Sequence, residues 1–175
     1  MKKEIWGFYP PPIGGISIYC KRLAEKLHAI DESVIMRDFA QSGYESECVM
    51  RVKNRILEFL KLPFVPKRLI HAQFTNFYLL MMLYLFGWKH DIVLTLHNRR
   101  IVLLDGWKRK VVNQLFRRAK YIIYNDPAYT ALLREKYDID SGKIVLLPTY
   151  MAPEQSEVKG LTTELEEFIN KHEYS

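Results

Sequence analysis

The sequence predicts an α/β fold built on a doubly wound, mostly parallel sheet. Short apolar runs alternate with longer amphipathic runs about five times along the 175 residues, which is the order expected of strands joined by helices. Most of the short runs are continuously apolar, as is typical of strands buried on both faces of a parallel sheet. A chain of this length, with 49% hydrophobic residues, can form one domain with a substantial core.

The individual elements follow from these patterns. The predicted strands cover residues 4–9, 34–39, 69–74, 92–96, 121–124 and 144–147. The predicted helices cover residues 16–30, 47–62, 77–86, 107–119 and 128–137. Pro127 precedes the last helix, close to a position that proline favours in a first helical turn.

The pattern changes after Pro148. Residues 1–150 are predicted to form the α/β domain, and residues 151–175 a turn-rich linker that leads into an acidic amphipathic helix at 163–172. No strand follows this helix. The chain therefore stops where another β-α unit could begin.

Charge and targeting signals limit the partners and the location. The formal net charge of +6 indicates an anionic partner. Charge alone does not decide whether that partner is nucleic acid, phosphate or an acidic membrane surface.

Cys20 and Cys48 lie far apart without metal-ligand spacing, so both are predicted to be reduced thiols. The start of the chain lacks the apolar stretch of a secretory signal, which predicts a cytoplasmic protein. The apolar run at 77–88 is shorter than the roughly 20 residues that span a bilayer, so it predicts a buried helix.

A glycine pair, Gly14 and Gly15, separates the first predicted strand from the first helix in "YPPPIGGISIYCKRLAEKL". In a strand-loop-helix turn, backbone N–H groups and the helix N-terminus face an anion, and small residues let it approach closely. A tight turn with positive φ would also require glycine. Because neither established glycine-rich phosphate-binding pattern is present, both interpretations stay open.

Polar residues follow three further predicted strands. In an open parallel sheet the ligand crevice lies outside the carboxyl ends of the strands, so residues that follow them converge on one edge. A single histidine at a strand end is more often structural than catalytic, but several strands here deliver polar groups. These residues are Thr75 and Asn76, His97 and Asn98, and Asn125 and Asp126.

Three segments carry a resemblance to a known family: "PPPIGGISIYCKRLAEKL", "DIVLTLHN" and "AKYIIYNDPAYTALLREKYDIDSGKIVLLPTYMAP". They resemble the N-terminal, acceptor-side Rossmann domain of retaining GT-B fold glycosyltransferases, those like glycosyltransferase family 4. The resemblance covers nearly the whole chain. It implies transfer of a sugar from a nucleotide-sugar donor to a cell-surface or lipid-linked glycan acceptor, with a second Rossmann domain completing the site.

The resemblance also implies roles for individual residues. Gly14 and Gly15 would lie against the donor diphosphate, whose developing charge backbone amides can stabilise. His97 would be the catalytic residue that faces the donor sugar, and Asn98 would orient His97 or contact the acceptor. The remaining residues of the cleft would be Thr75, Asn76, Asn125, Asp126 and Tyr150. No cofactor is implied beyond the nucleotide sugar as substrate, and the lack of an Asp-x-Asp or His/Asp cluster predicts no metal.

The chain departs from the family at several points. Asn125 and Asp126 stand where the family often has serine, and Thr149 and Tyr150 replace the usual Asn-Gly after the proline. The Glu-x7-Glu pattern of the second domain is missing, whereas the acidic helix at 163–172 resembles the opening of that domain. The 175-residue chain is therefore expected to be inactive alone.

Two segments concentrate the positive charge. Residues 51–68 hold six Lys or Arg against Glu58, and residues 99–120 hold eight against Asp105. A basic amphipathic helix with an aromatic residue suits an anionic lipid surface, so Arg99 to Lys120 is a candidate for contact with the inner face of a membrane. The alternative is a crossover helix with solvated charges, in which Trp107, Val111 and Leu115 face the core.

Two other functions stay open from the sequence. A basic nucleic-acid-binding Rossmann-like domain would use the same cationic segments, but strands buried on both faces offer no platform on which bases could stack, so nucleic acid is disfavoured. A non-catalytic partner subunit that supplies an acceptor-binding site would share the glycosyltransferase motifs.

Overall fold

The structure is a computed structural model that describes residues 1–40, 42–74, 76–97, 99–101, 103–124 and 127–147. These residues form one seven-stranded sheet in which every pair of neighbouring strands is parallel. The predicted α/β fold with a doubly wound parallel sheet is confirmed. The proposed linker and acidic helix at 151–175 lie outside the described residues, so the division of the chain into domains stays a prediction.

The elements alternate along the chain as the sequence predicts. The strands are β1 (Lys2–Gly7), β2 (Val34–Asp38), β3 (Val49–Arg51), β4 (Arg68–Ala72), β5 (Asp91–Leu96), β6 (Tyr121–Tyr124) and β7 (Ile144–Leu146). The helices are α1 (Gly15–Ile30), α2 (Arg55–Leu60), α3 (Phe77–Phe86), α4 (Gly106–Arg118) and α5 (Pro127–Lys136). Single turns of 3-10 helix cover Leu62–Phe64, Arg99–Ile101 and Ser141–Lys143.

The strand order across the sheet is β3-β2-β1-β4-β5-β6-β7. The chain therefore builds outward in one direction from β1 and then in the other direction from β4. Because crossovers between parallel strands are right-handed, this reversal places α1 on one face of the sheet and α3 and α4 on the other. On the first face Cys20 and Leu23 of α1 pack with Ile5, and on the second face Leu80 and Leu115 pack with Trp6.

The first face is incompletely covered beyond β4. Val93 and Ile123 are half-buried and Tyr121 is 49% exposed. The prediction that the strands are buried on both faces is therefore wrong for β5 and β6. The physical reason is the strand order, since the helices that follow β4 and β5 both cross on the second face.

The predicted helix at 47–62 is wrong in its first half. Residues Val49–Arg51 form β3, which pairs with β2 along the edge of the sheet. Val49 and Val52 are buried there, and packing against β2 outweighs the helical pattern of the segment. The helix begins only after Asn54, whose side chain accepts a hydrogen bond from the amide of Leu57 at 3.1 Å.

Two predictions about helix burial also need correction. In α4 the fully buried residues are Val112, Leu115 and Phe116, whereas Trp107 is 59% exposed. The apolar stripe of this crossover helix is therefore displaced from the predicted one. Helix α3 is buried on one side only, and within the described ranges no helix is long and apolar enough to cross a membrane.

A buried carboxylate joins the three central strands. Oε1 of Glu4 in β1 accepts hydrogen bonds from Arg68 of β4 at 2.7 Å and from Arg37 of β2 at 3.2 Å. Its Oε2 accepts a hydrogen bond from Trp6 Nε1 at 2.9 Å. Burial alone would raise the pKa of Glu4, but the Trp6 hydrogen bond and the two guanidinium groups outweigh burial and hold this pKa below its ordinary value.

We expect Glu4→Gln to lower the free energy of unfolding by about 3 kcal/mol, because the substitution removes the counter-charge of the largely buried Arg68 and one of the two carboxylates that face Arg37. Urea denaturation measures this change. The matched control is Arg117→Gln, which removes an exposed ion pair with Asp138 and should have almost no effect. Equal effects of the two substitutions would contradict the structural role of Glu4.

The stabilities of the wild-type protein and of Glu4→Gln should depend differently on pH. Because the folded-state pKa of Glu4 is lowered, its contribution is fully present above the unfolded-chain value of 4.5. That contribution is lost as the pH falls through the lower folded-state pKa. The difference in stability between the wild-type protein and Glu4→Gln should therefore shrink as the pH is lowered below 4.5.

Candidate functional site

Two neighbouring cavities open at the carboxyl edge of the sheet, where the strand order reverses between β1 and β4. Their volumes are about 460 and about 440 Å³. Both are lined by Phe8 and Ile16, so they share a wall. A crevice at this position is where open parallel sheets bind ligands. The first cavity, which includes Gly14 and Gly15, is here called the glycine cavity, and the second, which includes Gln73, the amide cavity.

The conformation of the glycine pair separates the two interpretations of Gly14 and Gly15. Gly14 is extended, with φ −166° and ψ 165°, and neither glycine has a positive φ. The alternative of a tight turn that requires positive φ is therefore wrong. A Cβ atom at Gly15 would meet nothing within 4 Å, and one at Gly14 would meet only Ser17 Oγ at 4.0 Å. Packing against the described residues therefore does not require glycine either.

The N-terminus of α1 supplies hydrogen-bond donors to the glycine cavity. The amide of Gly14 donates to Ser17 Oγ at 2.9 Å, and that hydroxyl donates to the carbonyl of Pro12 at 2.8 Å. The amides of Gly15 and Ile16 have no acceptor within the described part of the chain. Arg55 lines the same cavity. Uncapped amides, the positive end of a 16-residue helix and a guanidinium group together suit an anion such as a diphosphate.

The amide cavity is mostly apolar, with a few polar groups. Its polar lining residues are Gln73, Asn76 and Arg100, and the apolar ones include Phe74 and Phe77. Asn76 also forms the N-cap of α3, where its Oδ1 accepts a hydrogen bond from the amide of Tyr78 at 2.9 Å. A cavity of this composition fits an organic ligand that is positioned by a small number of hydrogen bonds.

His97 follows the last residue of β5 and belongs to a hydrogen-bonded network at the wall of the amide cavity. Its Nε2 lies 2.7 Å from Oε1 of Gln73, which is fully buried. The amide nitrogen of Gln73 lies 2.8 Å from Nε2 of His71. Thr95 Oγ1 lies 2.7 Å from the same nitrogen of His71. The Gln73 amide therefore bridges the imidazole of His71 on β4 and that of His97 directly after β5.

Both histidines in this network are neutral at pH 7. Burial lowers the pKa of His97 to about 4, and burial together with the nearby His97 lowers that of His71 to about 4. Because Gln73 Oε1 can only accept a hydrogen bond, His97 donates from Nε2 and keeps the lone pair on Nδ1. The ring of Tyr19 packs edge-on against His97 at 5.0 Å between centroids. His97 lines neither cavity and reaches the amide cavity through Gln73.

The described residues bring together part of the predicted site. Gly14, Gly15 and Asn76 line the two cavities, and His97 lies behind Gln73. The other predicted positions lie outside the described residues and stay predictions: Thr75, Asn98, Asn125, Asp126 and Tyr150. Within the described ranges, no group of three or more His, Cys, Asp or Glu side chains is placed to bind a metal.

Sequence reasoning missed Gln73, Arg55 and Arg100. A signal for Gln73 exists in "IHAQF" and "LTLH", where polar residues occupy alternate positions of two apolar strands and so lie on one face. A run of alternating polar residues within otherwise buried strands indicates a shared hydrogen-bonded network. Arg55 and Arg100 lie among many other cations, and nothing in the local sequence distinguishes them.

We expect Gln73→Glu to raise the pKa of His97 by about 1 to 3, because a carboxylate in place of the amide favours the charged imidazole. Titration of the imidazole signals by NMR measures this change. His90, whose pKa is lowered by burial at a separate position beside Leu62, is the internal control and should not move. An unchanged pKa of His97 would mean that the observed hydrogen bond to Gln73 does not govern the protonation of this imidazole.

The chain was compared with known proteins in two ways. A scan against protein-family models found no match, and a search of curated proteins found no similar sequence. The resemblance to glycosyltransferases therefore rests on the motifs of this sequence and stays a prediction.

Proposed function

We propose that this chain is the acceptor-side Rossmann domain of a retaining glycosyltransferase that uses a nucleotide-sugar donor and a cell-surface or lipid-linked glycan acceptor. The observation that carries the proposal is the pair of adjoining cavities at the edge where the strand order reverses. The glycine cavity has mostly apolar walls but also contains the uncapped start of α1 and Arg55, which favour an anion. The amide cavity combines apolar side chains with Gln73, Asn76 and Arg100, and the two cavities share Phe8 and Ile16. A sugar that is transferred from a diphosphate to an acceptor needs two such sites side by side.

In this proposal the donor diphosphate occupies the glycine cavity. The bond between the anomeric carbon and the diphosphate oxygen breaks, and the electron pair stays on the diphosphate. The amides of Gly15 and Ile16 and the guanidinium of Arg55 stabilise that charge. The acceptor hydroxyl oxygen forms the new glycosidic bond, and its proton leaves with the diphosphate.

The acceptor occupies the amide cavity. Asn76 is placed to hydrogen-bond its hydroxyl groups, and Gln73, whose amide orientation the neutral His97 fixes, forms part of the cavity wall. A charged imidazole at this position would repel the positive charge that develops on the anomeric carbon, so the lowered pKa of His97 favours transfer. The second Rossmann domain that the resemblance implies would provide the opposite wall.

Binding of nucleic acid has less support. The open part of the first sheet face shows a single strongly exposed aromatic residue among the described strand positions, Tyr121. Lys67 and Lys120 each form an ion pair with Asp91 at 2.9 Å, so a carboxylate of the chain already partners their charges. Stacking of bases needs several aromatic residues interleaved with cations.

Substitutions at Gly15 test the donor site. In the full-length, two-domain protein that this proposal implies, the series Gly15→Ala, Gly15→Val and Gly15→Leu should raise the KM for the donor in order of size, because each larger side chain enters the space assigned to the diphosphate. The thermal midpoint of Gly15→Ala should stay nearly constant, since a Cβ atom at this position meets no neighbour within 4 Å. Unchanged donor kinetics across the series would remove the glycine pair from the site.

Substitution of His97 tests whether this residue contributes to the proposed transfer. We expect His97→Ala to lower the turnover of the full-length protein by about a hundredfold, the effect of removing one positioned group. The matched control is His28→Ala, which removes another half-buried histidine, hydrogen-bonded to the carbonyl of Val34 at 2.9 Å. A large loss of stability in His97→Ala with full activity per folded molecule would show that His97 is only structural.

A further inference from the structure

Helix α3 has an apolar outer side that the fold does not bury. The helix carries no charged residue over Phe77–Phe86, and only Leu80 and Leu83 are fully buried. Tyr78, Leu85 and Trp88 are 64%, 51% and 61% exposed. The spacing of seven residues places Tyr78 and Leu85 along one side of the helix, and Trp88 lies in the turn that follows its end. A helix that is apolar on all sides is normally buried all round, so this outer side lacks the cover that its sequence indicates.

The neighbouring helix α2 extends this apolar side. Ile56 is 63% exposed and Leu60 is 41% exposed, and Phe64 in the turn that follows is 87% exposed. Helices α2 and α3 are in contact with each other. The turn is held against the end of α3, because Lys89 Nζ donates to the carbonyl of Pro63 at 2.7 Å. We call the set Ile56, Leu60, Phe64, Tyr78, Leu85 and Trp88 the outer apolar surface.

Two segments of net positive charge adjoin this surface. The segment 51–68, which contains α2, has six Lys or Arg and one acid, Glu58, which lies 3.5 Å from Arg37. Two of these cations are paired elsewhere, Arg68 with Glu4 and Lys67 with Asp91. On the other side α3 packs against α4. The segment 99–120 around α4 has eight Lys or Arg and one acid, Asp105, which is paired with Lys136 at 3.0 Å. Two of its cations are also paired, Lys120 with Asp91 and Arg117 with Asp138.

We propose that the outer apolar surface docks on an anionic lipid bilayer. Apolar side chains enter the boundary between headgroups and acyl chains, while basic residues at the border are attracted to anionic lipids. Tyrosine and tryptophan are the residues that favour this boundary. Two copies of the chain joined through the same surface would place their positive borders against each other, which is unfavourable.

Docking in this orientation has a consequence for the proposed acceptor site. Asn76, Phe77 and Tyr78 at the start of α3 line the amide cavity. With α3 on the bilayer, the mouth of that cavity would lie at the membrane surface, where a lipid-linked acceptor could enter. This consequence rests on the proposed function, whereas binding to the bilayer does not.

Vesicle binding tests the proposal. The full chain is sedimented with vesicles of phosphatidylcholine alone and with vesicles that also contain phosphatidylglycerol. We expect binding to the mixed vesicles that weakens as salt is added, and a loss of at least about tenfold in the partition coefficient for the double variant Ile56→Glu, Leu85→Glu. The matched control is Ile30→Glu at the end of α1, a residue that is 83% exposed and should not change binding.

Fluorescence identifies the surface that meets the lipid. Of the three tryptophans, Trp6 is buried, Trp88 belongs to the outer apolar surface, and Trp107 lies on α4. With brominated lipids we expect strong quenching in Trp107→Phe, which keeps Trp88, and weak quenching in Trp88→Phe. The reverse result would overturn the proposal in favour of α4. The absence of vesicle binding would also overturn it, as would a dimer in sedimentation velocity that Leu85→Glu dissociates.

Discussion

The architecture depends on the pairing of one buried carboxylate, Glu4, with Arg37 and Arg68. A carboxylate that is 1% exposed is tolerated only when its charge is matched, and its two partners come from the strands on either side of β1. This pairing favours a sheet in which β1 lies between β2 and β4. In that strand order, the direction in which the chain adds strands reverses beside β1. The crevice at the carboxyl ends of β1 and β4 follows from that reversal, and the glycine pair follows β1 into it.

The same edge separates two kinds of chemistry over a short distance. At the N-terminus of α1, uncapped amides and Arg55 make the glycine cavity attractive to an anion. On the other side of Phe8 and Ile16, burial lowers the pKa of His97 and keeps its imidazole neutral, and Gln73 accepts a hydrogen bond from it. In the proposed transfer, adjoining cavities would therefore accommodate both the charge of a leaving diphosphate and a neutral environment near the reacting carbon. Helix α3 begins at this edge and connects it to the outer apolar surface.

Long periodic segments were predictable from the sequence, whereas short or tertiary features were not. The bounds of α3 match the predicted 77–86, and α1 differs from 16–30 by one residue. Strand β3 has three residues at the sheet edge, and its stability comes from pairing with β2, which the local pattern does not reveal. Gln73 was missed because a single amide inside an apolar run gains its meaning only from His71 and His97. The exposure of one side of α3 was not predictable either. It depends on how many helices the order of the strands places on that face of the sheet.

The most direct test of the proposed function is a transfer assay on the full-length protein with a panel of UDP-, GDP- and TDP-sugars and membrane-extracted acceptors, run beside calorimetric titration of residues 1–175 with the same donors. The account predicts that the full-length protein transfers sugar from one of these donors with retention of configuration. It predicts that residues 1–175, which supply one wall of the cleft, bind donors weakly and transfer nothing measurable. Micromolar donor affinity or turnover by residues 1–175 alone, or no transfer by the full-length protein with any donor, would contradict it.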